Sequence, residues 1–225
     1  MKKRFIIFVV IAVVSSCKKA DAEATPLNSY TFYFENPQPI NDSELNSFPP
    51  KFQGLYKTAD SNFLRITDDR ILKEYYFKLK VHRKELDSQK SEYDLVDGKL
   101  ITKDTKDKYD VLKIGDSIEL SQTITDTLYR LSYNQKLKRI SGQLVLSTRD
   151  SVFWEMEVIS LEKNILKFKH IFLQEDLKRL DSVTQTKGQM LDSLSYLIKP
   201  TRKEFKNILK IKNLGKDRLY TKVSE

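Results

Sequence analysis

Between residues 52 and 172 apolar and polar positions alternate with a period of two, the pattern of strands that bury one face. In 73–82, Tyr75, Phe77, Leu79 and Val81 alternate with Glu74, Lys78, Lys80 and His82, and Val152, Trp154, Met156 and Val158 repeat the arrangement. Asp97-Gly98 inside 93–102 predicts a tight two-residue hairpin turn. Gly115-Asp116 predicts a second between Val111 and Leu120. Residues 30–34 read as a short aromatic strand, an edge or a clasp on the body, and Pro37, Pro39, Pro49 and Pro50 punctuate the stretch that follows.

Past residue 172 the period lengthens. Residues 175–183 and 189–197 have helical spacing, with Leu177, Leu180, Leu191 and Leu194 as expected core positions. Thr201 and Glu204, just after Pro200, form a capping-box pattern ahead of Phe205, Ile208 and Leu209, which predicts a helix over 202–211. A strand over 219–223 follows. The expected fold is mainly β with some α: antiparallel sheets or a barrel-like body, with helices inserted in the C-terminal half.

Three short echoes suggest that this body consists of two related halves. Residues 52–56 (Phe-Gln-Gly-Leu-Tyr) resemble 140–144 (Ile-Ser-Gly-Gln-Leu), 60–66 resemble 150–156, and 126–129 resemble 217–220. The offsets run from 88 to 91 residues and the order is kept. Gly54, Tyr56, Gly142, Trp154, Tyr129 and Tyr220 mark the repeat. The implied organisation is 1–16 as an export signal, 17–48 as a tether carrying the aromatic strand, 49–132 as a first β half, and 133–225 as a second half with C-terminal helices.

The N-terminus supplies the signal. Lys2, Lys3 and Arg4 precede an apolar run over 5–14, then Ser15, Ser16 and Cys17. That run is shorter than the roughly 20 residues a spanning helix needs, and its layout is that of a secretory signal. Cys17 is the only cysteine in the chain. Val14-Ser15-Ser16-Cys17 resembles the bacterial lipobox, with Val14 where Leu is commonest. The resemblance implies that Cys17 receives a diacylglycerol and becomes the mature N-terminus, anchored by lipid with no membrane helix. Lys18 directly after Cys17 implies, by the same resemblance, an outer-membrane rather than inner-membrane address. Residues 18–23 resemble the acid-containing tethers of lipoproteins exported to the cell surface in the Bacteroidota. In signal, strand-turn pattern and tail the chain looks like the small outer-membrane lipoproteins of that group, a likeness that implies a location and no activity.

Composition narrows the function classes. The 225 residues carry 40 Lys+Arg against 31 Asp+Glu, a formal net charge of +9, which loss of the three signal cations lowers to about +6. The lysines are scattered, as on a solvated surface, and an exported lipoprotein rarely meets nucleic acid. The partners expected are the membrane, through the lipid, and an envelope protein or an acidic glycan or lipid.

No cofactor and no metal site is expected. His82 and His170 are the only histidines, and neither has a carboxylate or cysteine at ligand spacing along the chain. Gly115-Asp116-Ser117-Ile118 resembles the nucleophile block of GDSL-type esterases, which would make Ser117 a nucleophile. The sequence after it alternates as a strand, however, and no Asp-x-x-His follows near the C-terminus. Phe52-x-Gly54-x-Tyr56 resembles the opening strand of lipocalins, with Tyr56 in place of Trp. The expected role is therefore non-enzymatic binding or support in the envelope. The alternatives are a lipocalin-like carrier of an apolar ligand and a hydrolase of envelope polymers using paired carboxylates.

Overall fold

The computed structural model describes residues 29–59 and 62–223; residues 1–16, read as an export signal, and Cys17 lie outside them. The described chain is mainly β, a mixed sheet of fifteen strands with three helices, and the sheet is open. In chain order the strands are β1 (Thr31–Phe34), β2 (Gly54–Lys57), β3 (Phe63–Ile66), β4 (Arg70–His82), β5 (Tyr93–Val96), β6 (Lys99–Thr102), β7 (Lys108–Ile114), β8 (Ser117–Arg130), β9 (Gln135–Ile140), β10 (Gln143–Asp150), β11 (Phe153–Glu162), β12 (Ile165–His170), β13 (Gln189–Met190), β14 (Ser195–Ile198) and β15 (Lys216–Lys222). The helices are α1 (Arg83–Asp87), α2 (Gln174–Asp181) and α3 (Arg202–Ile208).

Nine strands make the body. Hydrogen bonding runs β9-β10-β11-β12-β15-β2-β3-β4-β8, with every neighbouring pair antiparallel. The sheet curls, because one buried cluster takes side chains from all nine. Tyr56, Leu64, Ile66, Ile71, Tyr129, Leu137, Leu144, Leu146, Ile159, Leu166, Phe168 and Tyr220 meet there, joined by Phe48 and Phe52 from the segment before β2. The ladder stays open between β8 and β9, which are linked by residues 131–134 around a tight turn bridging Ser132 and Gln135. Residues 42–52 fill that opening. Leu45 N–H donates to Leu137 O at 2.8 Å, Phe48 N–H to Asp68 O at 2.7 Å, and both Phe48 and Phe52 are fully buried.

Where the sheet is covered on both sides, alternation gives way to continuous apolar runs. In β10, Leu144 and Leu146 point into the first cluster while Val145 joins a second on the opposite face. That outer cluster combines Val145, Ile140 and Met156 with Phe32 and Phe34 of β1, Tyr196 and Ile198 of β14, Leu180 of α2, and Phe205 and Ile208 of α3. β1 is parallel to β14 and touches β11 at Phe34 and Trp154, which makes the sheet mixed. From residue 29 onward, the stretch read as tether is thus part of the folded body.

β4 and β8 are 13 and 14 residues long and run beyond the body as a two-stranded arm. At its tip α1 and β5–β7 build a small third cluster from Leu86, Tyr93, Leu100, Ile118 and Leu120. The Asp97-Gly98 and Gly115-Asp116 turns both form, with positive φ at Asp97 (50°), Gly98 (75°) and Gly115 (57°).

One expectation about helices needs correction. Residues 189–197 form the hairpin β13–β14 rather than a helix, and Leu191 and Leu194 are exposed at its tip rather than in the core. The spacing of three that suggested a helix spans a turn, where Asp192 Oδ1 accepts the Leu194 N–H at 2.8 Å. Helices α2 and α3 lie in the C-terminal half as expected, and a further short helix, α1, caps the arm with His82 Nδ1 accepting the Lys84 N–H at 3.1 Å. The capping box holds: Glu204 N–H donates to Thr201 Oγ1 and Thr201 N–H to a Glu204 carboxylate oxygen at 2.8 Å.

Tyr56 gives the core a pH signature. Its hydroxyl donates to Phe52 O at 2.8 Å, and burial pushes its phenol up to about 12. The folded value lies above the unfolded one, so this contribution to stability is complete below about pH 10 and is lost as pH rises through 12. Tyr56→Phe is expected to cost about 1 kcal/mol at pH 7 by losing the hydrogen bond. The variant should also lose stability less steeply between pH 10 and 12, measured as urea midpoints across that range. An unchanged alkaline slope would show that Tyr56 does not carry it.

Candidate functional site

The inward face of β11 changes character along its length. Ile159 and Leu161 point toward the core, but Glu157, Glu155 and Phe153, which share that face, lie beyond it. Neighbouring strands switch at the same level. Opposite Glu157 stand Leu146 of β10 and His170 of β12, the first still in the core and the second already outside it. One step further, Glu155 faces Thr148, and Phe153 faces Asp150. On the other edge β1 takes over where β12 ends, and Tyr33 reaches Asp150. The result is a polar, aromatic-edged end to the curled face, built by β1, β10, β11 and β12.

Its groups are tied to one another in pairs, with one exception. Tyr33 Oη donates to Asp150 Oδ2 at 2.7 Å, and this bond, helped by burial, holds the phenol well above its usual range. Glu157 Oε1 lies 3.5 Å from His170 Nδ1 and holds the imidazole's pKa above its ordinary value, against the effect of burial. Rings sit beside these pairs: Phe153 is 6.1 Å from Tyr33 and Phe172 is 5.2 Å from His170. Glu155 is the exception. Burial first, and then the Asp150 charge, push its carboxyl pKa up, while no hydrogen bond or ion pair engages it among the described residues. Half-buried carboxyls flanked by ring faces suit hydroxyl-rich or cationic groups. Among the described residues no group of three His, Cys, Asp or Glu side chains is placed to hold a metal ion.

The residues singled out from sequence are distributed differently. Cys17 is outside the described residues. Tyr56, Tyr129 and Tyr220 come together in the main core, and Trp154 faces the opposite side, with the Arg149 guanidinium 6.0 Å from its ring. Gly54 and Gly142 occupy different surroundings. Gly54 opens β2 opposite Ile66 with φ 129°, where a Cβ would press on the Lys222 stem, whereas Gly142 sits in the β9–β10 turn with open space around it. Ser117 begins β8 directly after a hairpin turn.

The alternation in 152–158 placed Val152, Trp154, Met156 and Val158 on one apolar face and gave Glu155 and Glu157 no role. The available signal was Ile159, two residues on: it shares their face and follows Val158, and such a doubly apolar step marks burial on both sides. Comparison with protein-family models, with curated proteins and with solved structures gives no significant match.

Proposed function

We propose that the protein is a lipid-anchored lipoprotein of the bacterial outer membrane, held by acylated Cys17, whose body is a non-enzymatic binding module. The anchor rests on the signal pattern and lipobox. It is compatible with the described residues, where no helix is long and apolar enough to cross a membrane. The observation that carries the binding role is the half-buried, unengaged Glu155 among Asp150, Glu157, Tyr33 and ring faces, at the mouth of a core already filled by Phe48, Phe52, Tyr56 and Phe168. Large side chains occupy the interior that a carrier would keep for an apolar ligand, so recognition falls to this polar end.

A second reading has one specific observation in its favour. A carboxyl with a raised pKa near two other carboxylates is also the layout of a general acid in polymer hydrolysis. The binding role predicts no turnover of peptidoglycan fragments or acidic glycans by the wild type, and loss of retention on whichever immobilised glycan binds when Glu155→Gln is tested. Product release that Glu155→Gln abolishes would establish the hydrolase instead.

The anchor has its own test. Cys17→Ala is expected to abolish the acyl mass increment and move the protein from the membrane fraction to the soluble fraction. A Cys17→Ala product that still carries acyl chains would sink the reading.

A further inference from the structure

The chain enters the described body beside a small amphipathic surface. Tyr30 N–H donates to Phe172 O and Thr31 N–H donates to Leu194 O, both at 2.8 Å, so the residue-29 end lies between the β12–α2 link and the β13–β14 tip. That tip exposes Met190 (61%), Leu191 (39%) and Leu194 (44%), a concentration of apolar surface on two turns of chain. Backbone bonds hold it firm: Leu191 N–H reaches Ser195 O at 2.9 Å, and Asp192 turns its carboxylate back onto the Leu194 N–H. On the other flank Lys216 Nζ lies 5.7 Å from the Phe172 ring centre. Lys210 and Lys212 are exposed on either side of Ile211, which packs on the same outer cluster as Tyr30.

The stretch of sequence that carries these lysines is basic. From Lys199 to Lys222 the sequence has nine Lys or Arg against Glu204 and Asp217. Lys203, Lys206 and Lys210 share an exposed side of α3 and its extension, with no ion pair among the described residues.

We propose that this end of the body, the Met190–Leu194 tip with Lys210, Lys212 and Lys216 beside it, docks on an anionic bilayer surface. The position of the chain start selects the occupant. This rests on the anchor reading for the source of proximity: from Cys17 to Ser29 the chain spans at most roughly 40 Å extended, and about 20 Å as a flexible coil. The face beside residue 29 is therefore the one held next to the lipid, at an effective concentration on the order of millimolar, where weak contacts suffice. Apolar side chains enter the interface, and each lysine near an anionic surface raises partitioning about fivefold. A neutral bilayer lacks that second contribution.

The test uses the full protein on vesicles of phosphatidylcholine alone or mixed with phosphatidylglycerol, with brominated acyl chains as quencher. Leu191→Trp places an indole at the tip, and Tyr76→Trp places one on the arm as control. Quenching is expected at 191 and not at 76, stronger with phosphatidylglycerol, and weakened about 25-fold or more in apparent partitioning by Lys210→Glu with Lys212→Glu. No quenching at 191, or equal quenching at 76, overturns the proposal. So does an unquenched tip whose lysines instead bind a soluble anionic polysaccharide. The mass of Cys17 is read on the same sample. An unacylated chain would refute the anchor, while quenching on added vesicles would still decide the docking face.

Discussion

Phe48→Ala lowers stability by about 3–5 kcal/mol, the range for truncating a buried aromatic side chain. Phe48 belongs to none of the nine body strands, yet it is fully buried and meets Tyr129 edge-on at 6.1 Å between ring centres. Its own backbone is fixed by the bonds to Asp68 O and from Gln53 Nε2, the latter at 2.7 Å, so the segment cannot easily collapse into the space left behind. Because the ring fills the opening between β8 and β9, its loss opens the main core where no ladder hydrogen bond closes it. Urea unfolding measures the effect, with Tyr133→Ala, an exposed turn position, as a control expected within about 0.5 kcal/mol. A Phe48→Ala midpoint close to wild type would mean that residues 42–52 merely rest on the body.

Asp176→Ala costs about 3 kcal/mol through polar groups rather than volume. The carboxylate is fully buried at the first turn of α2, where one oxygen accepts the Leu173 N–H at 3.0 Å. The other accepts the Gly215 N–H at 3.0 Å and a bond from Arg179 Nη1 at 2.8 Å. Removing it leaves two backbone donors and a guanidinium without their acceptor, and each buried orphan donor costs about 1–3 kcal/mol. Asp176→Asn keeps one acceptor oxygen and should fall between the two. An alanine variant within 1 kcal/mol of wild type would show that water replaces the carboxylate.

Elements set by local pattern were readable in the sequence, and elements set by distant partners were not. Alternation located β4 and β11, Asp97-Gly98 the β5–β6 turn, and Thr201 with Glu204 the start of α3, because each depends on residues a few positions apart. The β13–β14 hairpin depends on β1, whose Tyr33 pairs with Leu197. Nothing within 189–197 announces that partner, and Leu191, Leu194 and Leu197 fit a helix equally well. The polar end was hidden for a related reason. Glu157 and His170 are 13 positions apart, and only the β11–β12 register sets them opposite each other. The likeness between 52–56 and 140–144 was legible, while the different roles of Gly54 and Gly142 were a matter of which residues turn and which pair.

The pairing of Tyr56 with Lys222, and of Phe34 with Trp154 and Ile198, bears on how the chain folds. Such contacts enclose most of the described sequence in single loops, so the topology is of high contact order and its folding is slow. β2 has no partner on one edge until β15 has been synthesised, and β1 has none until β11 and β14 have. Until then the local meander β2-β3-β4 has its own pairing, but the nine-strand ladder is incomplete. The bonds from β15 to β2 and from β1 to β11 and β14 therefore form last, and a chain cut short before Lys216 lacks the strand that joins β12 to β2.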